Sequence, residues 1–350
     1  MSDYFKQRKA DVMARLNEIK LELPEFCDEF FVGIAQQTSE LTRLNYAYDL
    51  RIFFYYLSHY SRRFKGRSEL DYDVADLEKI TIVDLENYIE WLSSYEYKGK
   101  LYTNEANGKA RKLSTIRSFF KYFFNRGAIV ANTAAKISMP KLHEKEIIRL
   151  EGDEVENILN VTESGDGLTK QSLHFHEKTR LRDIAIVTLL LGTGIRVSEC
   201  VGLNLDDIDF NNHAFTVTRK GGGRTILYFG KEVEEALGAY VYDERRNIPD
   251  AVDKDALFLS LQKKRMCVRS VEILVKKYAQ IIAPLKKISP HKLRSTFGTN
   301  LYRETRDIYM VASVLGHQDV NTTKKHYAAI SEDHRKQAAN LIKLKKDDGE

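Results

Sequence analysis

The 350-residue sequence predicts an all-α N-terminal half joined to a C-terminal half of mixed α+β class with one small sheet. Three observations predict it. The length corresponds to about two domains at ~150 residues each. Up to about residue 126 the apolar residues recur at the three-to-four spacing of helices. Further on, two short strand-like runs, 214–219 and 225–229, flank Gly221-Gly222-Gly223, a strong hairpin signal set among helical patterns. Only 5 residues are Pro and 19 are Gly, and 43% are hydrophobic, which excludes collagenous, low-complexity and largely disordered chains.

Taken in order, residues 1–30 read as one helix with a short lead-in. Ser39 caps an aromatic-rich helix through about His59, with Leu50, Phe53, Phe54 and Leu57 at helical spacing. The polar stretch 61–76 reads as a loop. Thr81 and Asp84 form a capping-box pattern and open a helix through Tyr95, with Leu85, Tyr88, Ile89 and Leu92 on one face. Residues 96–108 break the periodicity. The helix expected over about 109–126 carries an apolar stripe of Leu113, Ile116, Phe120, Phe123 and Phe124, with Lys112, Ser114, Arg117 and Lys121 largely off it. Burying one side would leave a cationic ridge of the shape that enters a DNA major groove. Residues 132–145, holding Pro140, read as an interdomain linker. In the second half a helix near 152–160 precedes a polar insert, 162–178, which reads as a mobile loop. An apolar helix over 181–191 then ends at Gly192-Thr193-Gly194, and after the hairpin, helices are expected near 231–243, 269–282, 291–304 and 307–315.

The charge is unevenly placed. The net value is +5, yet residues 106–143 hold eight basic residues and no acid, and residues 260–303 hold eleven bases and one acid, Glu272. The rest of the chain is net acidic. Two separated basic stretches suggest two surfaces facing a polyanion, where solvated helices would be the plain alternative. The start, Met1-Ser2-Asp3-Tyr4-Phe5-Lys6, is charged where a signal peptide needs an apolar run. The charge-free stretch 184–195 falls well short of the roughly 18 residues of a membrane span. Three scattered cysteines, Cys27, Cys200 and Cys267, give neither a disulfide framework nor a zinc spacing, so a reducing cytoplasm is expected. Asp206-Asp207-Ile208-Asp209 reads as a loop and strand entry rather than a metal site, and His174 and His176 likewise suggest no metal.

Four segments stand out together: Gly192 to Glu199 around Arg196, the hairpin residue Lys220, the run His291-Lys292-Leu293-Arg294, and Leu315-Gly316-His317 followed by Tyr327. In this set and order the sequence resembles the tyrosine recombinases, the integrase family that includes Xer, Cre and phage integrase proteins. Each motif alone is common; it is their order that carries the likeness. The resemblance implies a helical core-binding domain over 33–140 after a lead-in at 1–32, a linker at 141–150, a catalytic domain over 151–330, and a C-terminal helix and tail over 331–350. It implies a C-shaped clamp on double-stranded DNA. It matches Arg196 and Arg294 to the two catalytic arginines, Lys220 to the hairpin lysine, His291 and His317 to the two histidines, and Tyr327 to the nucleophile. Thr42 echoes a phosphate contact of the first core-binding helix, and Lys112, Arg117 and Lys121 are the candidate DNA contacts of the later one. With only about 30 residues ahead of the core-binding region, no separate arm-binding domain is expected, which favours an Xer-like, Cre-like or transposon recombinase.

The chemistry suits these residue types. Breaking a phosphodiester while conserving its energy requires a covalent link to a side chain. A phenol whose ordinary pKa is ~10 needs proton removal and a cationic setting. Planar guanidiniums can clamp the non-bridging oxygens as charge builds on them, and a lysine can protonate the leaving 5′ oxygen. With two arginines and a lysine, no metal or other cofactor is required. Two other functions share part of the pattern: a type IB topoisomerase, using the same chemistry without strand exchange, and a catalytically silent DNA-binding protein. The resemblance further implies a homotetramer on paired sites, in which a helix over 332–346 docks into a neighbouring subunit; packing on its own domain is the alternative.

Overall fold

The structure, a computed structural model, describes residues 3–142, 148–219, 222–316 and 320. By internal contact the chain divides into two compact units, residues 1–145 and 146–350.

Among the described residues the first unit is helical apart from one hairpin. α1 (Asp3–Lys20) and α2 (Cys27–Gly33) replace the single helix expected over 1–30. Pro24 explains the break: it has no N–H to donate and disfavours helical geometry at Leu23. α3 (Glu40–His59) starts where Ser39 accepts a hydrogen bond from the Thr42 N–H, and Leu50, Phe53, Phe54 and Leu57 are all buried. α4 (Val74–Lys79) shortens the loop read over 61–76, and α5 (Ile82–Trp91) begins at the Thr81–Asp84 capping box. Residues 94–103 are a hairpin, β1 (Ser94–Tyr97) with β2 (Lys100–Thr103), registered Tyr95 opposite Tyr102 and turning through Lys98 and Gly99, both at positive φ. Such a turn matches the twist of paired strands. The sequence shows only a break in helical period here, because every β2 residue is exposed and no alternation results.

α6 (Ala106–Asn125) closes the unit. Its Phe119, Phe120 and Phe123 are fully buried, and the Phe119 ring meets Phe30 edge-on at 5.1 Å. Aromatic pairs of this geometry add about 0.5–1.5 kcal/mol beyond the area they bury. Phe124 is exposed, so the buried stripe runs through Phe119 instead.

The second unit is built around α9 (Arg180–Thr193), whose Ile186, Val187, Leu189 and Leu190 are fully buried. Against it pack α7 (Gly152–Ser164), α11 (Lys231–Gly238, extended by a wider turn to Glu244) and α13 (Pro290–Thr305). The polar insert expected to be a mobile loop instead holds α8 (Lys170–Glu177), capped by Thr169. Its His176 is buried and lies 3.0 Å from the Tyr278 hydroxyl, which donates to Asp183 at 2.9 Å. Burial and the Asp183 charge together push the Tyr278 phenol upward from its ordinary range. The same carboxylate accepts from Arg182, Thr179 and Lys277, so α8 docks onto a satisfied buried acid.

After the short α10 (Val197–Cys200), β3 (Ile208–Asp209), β4 (Ala214–Thr218) and β5 (Arg224–Tyr228) form one antiparallel sheet in that order, with Phe215 opposite Leu227. Asp206 and Asp207 stand in the turn that enters β3. α12 (Val268–Ile282) and α14 (Ile308–Leu315) complete the unit, with Val311 and Leu315 buried against Phe297 and Leu301. No helix among the described residues is long and apolar enough to cross a membrane.

Candidate active site

Two helix ends create the site. α9 stops at Gly194 (φ +61°), whose N–H bonds back to Leu190. A side chain there would be strained by the left-handed backbone, and its Cβ would fall 2.4 Å from the Phe297 ring. The tight stop swings the chain so that Arg196 opens α10 two residues later. α14 stops in the same way at Gly316 (φ +61°). These two turns come together, although 120 residues separate Arg196 from Gly316.

Arg196 is held on both sides. Its backbone N–H donates to Glu199 Oε2 at 3.0 Å and its Nη1 to Glu199 Oε1 at 2.9 Å. Its Nη2 donates to the Gly316 carbonyl at 3.1 Å. The side chain keeps 37% of its surface exposed, while Glu199 is 4% exposed. Arg294, on the first turns of α13, is 5% exposed. It donates to the Gly194 carbonyl at 2.6 Å and to the Leu315 carbonyl. His291 precedes it by three residues on α13 and is solvent-exposed. The structure thus brings Arg196 and Arg294 to one turn and places His291 at the mouth of the same helix. Lys220, His317, Tyr327 and the helix expected over 332–346 lie outside the described residues.

A third guanidinium joins them that sequence patterning reads only as the end of a strand. Arg219 donates through Nη1 to the Leu315 carbonyl at 3.1 Å and reaches Glu199 Oε1 at 3.5 Å. Burial is the main influence lowering its pKa, and Arg196 adds to this against the pull of Glu199. Its one sequence signal is its place immediately before Lys220 and the glycine run.

In the first unit the expected cationic ridge is partly dismantled. Lys112 is 7% exposed, with Nζ 3.3 Å from Asn104 Oδ1 and 3.9 Å from Asp49. It sits beside Leu113 at the edge of the stripe and turns inward because α3 offers it a buried carboxylate. Burial lowers its pKa, opposed by Asp49. Arg117 is half-buried and donates to the carbonyls of Ala134 and Ile137, tying α6 to the segment that follows it. Lys121 is exposed, as expected. Thr42 is half-buried, its hydroxyl 2.9 Å from Ser39 Oγ at the start of α3.

A fold of this plan gathers three guanidiniums at a buried turn, donors of the kind that can clamp phosphate oxygens. The signature described as the phage integrase family matches residues 148–334. Over 329 residues, 91% of this chain and 87% of the relative, the sequence is 33% identical to a tyrosine recombinase XerC of Caldanaerobacter subterraneus subsp. tengcongensis. Another XerC, from Thermodesulfovibrio yellowstonii, is 34% identical over 76% of this chain and 84% of its own length. Among solved structures, a XerH site-specific recombinase bound to palindromic difH substrate aligns with a TM-score of 0.66, 20% identity, and coverage of 89% of this chain and 83% of that one. A Tn1549 transposon integrase in complex with transposon right end DNA aligns with a TM-score of 0.61 at 20% identity, covering 90% of this chain and 98% of that one. This chain belongs to the phage integrase family of tyrosine recombinases, enzymes that cleave and rejoin DNA strands.

Proposed function

We propose that the protein is a site-specific recombinase that works through a 3′-phosphotyrosine at Tyr327. The observation that carries this reading is the convergence of Arg196 and Arg294 on the single turn that ends α14, eleven residues before Tyr327. The Tyr327 oxygen attacks the scissile phosphorus, the bond to the 5′ oxygen breaks, and the phenolic proton leaves with help from His291. Arg196 and Arg294 hold the two non-bridging oxygens, where charge rises in the transition state. His317 adds a hydrogen bond there. Lys220 delivers a proton to the departing 5′ oxygen. The reverse step joins a 5′-hydroxyl of the partner strand and frees the phenol. No electron is gained or lost, so the chemistry calls for no redox cofactor, and guanidiniums take the place a metal ion could fill.

In this reading residues 33–140 and 151–330 each bind the duplex, with Lys121 and Thr42 facing phosphates or bases, Arg117 bracing α6 from within its own unit and Lys112 buried. Four subunits synapse two sites, linked through exchange of the C-terminal helix, in the prokaryotic cytoplasm. The likeness to a transposon integrase in complex with transposon right end DNA supports a double-stranded DNA substrate.

The test is covalent trapping on nicked duplexes with randomised half-sites, followed by denaturing electrophoresis and peptide mapping. An adduct on Tyr327 that is lost in Tyr327→Phe is expected. An adduct on another residue, or none from the wild-type protein, overturns the reading. A plasmid with two copies of the recovered site then gives crossed products from a recombinase, whereas relaxation alone marks a topoisomerase.

A further inference from the structure

Arg219 is an expensive residue to keep where it is. Its side chain is only 14% exposed, and a guanidinium taken from water this far loses hydration that a neutral residue would not miss. It shares the Glu199 carboxylate with Arg196, and it donates to the same Leu315 carbonyl as Arg294. Arg196 and Arg219 therefore share one buried carboxylate, and with Arg294 they donate to three neutral carbonyls, those of Gly194, Leu315 and Gly316. Fastening the hairpin to α14 would need only a neutral donor. Positive charge held at a site of low exposure is stabilised by a nearby anion. The fit is also close. A Cβ on Gly316 would fall 2.6 Å from Arg219 Nη1 and 2.7 Å from its Cζ, so the guanidinium lies directly against the bare backbone of that turn.

We propose that Arg219 is a positioning residue for the phosphoryl transfer: through Glu199 and the Leu315 carbonyl it orients Arg196 and the α14 turn, and its charge strengthens the hold of the centre on the scissile phosphate. The proposal rests on the recombinase reading above. It separates Arg219 from a mere strut, because a strut works equally well whatever the charge of the substrate.

The experiment compares two versions of the duplex recovered by covalent trapping. One has the natural scissile phosphate. The other has a methylphosphonate there, in which a methyl group replaces one non-bridging oxygen and removes the negative charge. Single-turnover cleavage is measured at saturating full-length wild type, Arg219→Gln, Arg219→Lys and Arg294→Gln, with thermal melting to show that each is folded. Arg219→Gln should cleave the natural phosphate about 30-fold more slowly, an order of magnitude less than the loss of a direct oxyanion donor. On the methylphosphonate it should come within about threefold of wild type, since little charge remains to be met. Arg219→Lys, which keeps the charge, should stay within about fivefold of wild type on the natural phosphate. Equal slowing of Arg219→Gln on both substrates, or slowing of less than about threefold on the phosphate, overturns the proposal. If Arg219→Gln does not fold, Arg219→Lys decides alone: a loss as large as that of Arg294→Gln overturns the proposal. Failure of this kind leaves wild-type cleavage and the Arg294→Gln defect in place, whereas failure of the recombinase reading removes wild-type cleavage itself.

Discussion

Each unit of the molecule buries an acid among cations, and the two arrangements differ in what the cations do next. In the first unit Asp49 is 1% exposed and fully occupied: Arg111 donates to it twice, at 2.5 and 2.7 Å, Thr115 donates at 2.8 Å, and Lys112 stands 3.9 Å away. Arg111 and Thr115 reach the carboxylate directly, and Lys112 also donates to Asn104 Oδ1 at 3.3 Å. In the second unit Glu199 takes only part of what surrounds it. Arg196 turns its Nη2 to the Gly316 carbonyl, Arg219 gives the Leu315 carbonyl the same Nη1 that reaches Glu199, and Arg294 bonds Leu315 and Gly194. A neutral carbonyl holds a guanidinium less strongly than a charged phosphate oxygen does. The comparison teaches how two buried ion pairs differ: the first centres on its carboxylate, and the second also sets donors on neutral carbonyls, weaker acceptors that a phosphate replaces in the proposed reading.

The comparison breaks if the two hubs respond alike to mutation. The largest effect is expected at Arg294. Arg294→Ala should slow cleavage by about 1000-fold, roughly 4 kcal/mol of lost transition-state stabilisation, while DNA affinity in a gel-shift titration changes by less than about tenfold. Next is Asp49→Ala, which strands Lys112 in the interior. Urea titration should show a loss of about 3 kcal/mol in the stability of the first unit, with cleavage per folded molecule unchanged. If Asp49→Ala instead slowed cleavage with no loss of stability, the distinction would fail.

A smaller effect sharpens the same point with another buried acid. Burial raises the pKa of Asp76, but Arg67, Lys79 and a backbone N–H outweigh it and hold the carboxyl at about 2, below its ordinary 3.8. A depressed folded-state value means stabilisation that is complete above the unfolded value and lost as pH falls through the folded one. Stability measured from pH 4 to pH 2 should therefore decline, and Asp76→Asn should flatten that decline; an unchanged slope would contradict the assignment. The smallest effect belongs to Lys121 on the exposed face of α6. Lys121→Ala should weaken DNA binding on every sequence by about 1 kcal/mol and reduce the salt slope by roughly one unit, read from affinities at several salt concentrations.

Much was legible in the sequence because helices, caps and hairpins depend on neighbours a few residues away. Ser39, the Thr81–Asp84 box, the stop at Gly194 and the paired strands around the glycine run all follow from local spacing, and so did the family, whose motifs are short and ordered. Three of the misses share one cause. Lys112 looked exposed because its helix alone cannot reveal that α3 sets Asp49 opposite it. Residues 162–178 looked mobile because nothing near them in sequence announces Tyr278, which receives His176. Arg219 looked like a strand end because its meaning depends on Glu199 and on a turn 96 residues further along. Periodicity and spacing by themselves determined most of the helices and the hairpin of β4 and β5, and the ordered motifs which chemistry the chain could carry. Only the tertiary structure decided which charges meet, because electrostatic and hydrogen-bond partners are chosen by distance in space, and burial sets how strongly each pairing counts.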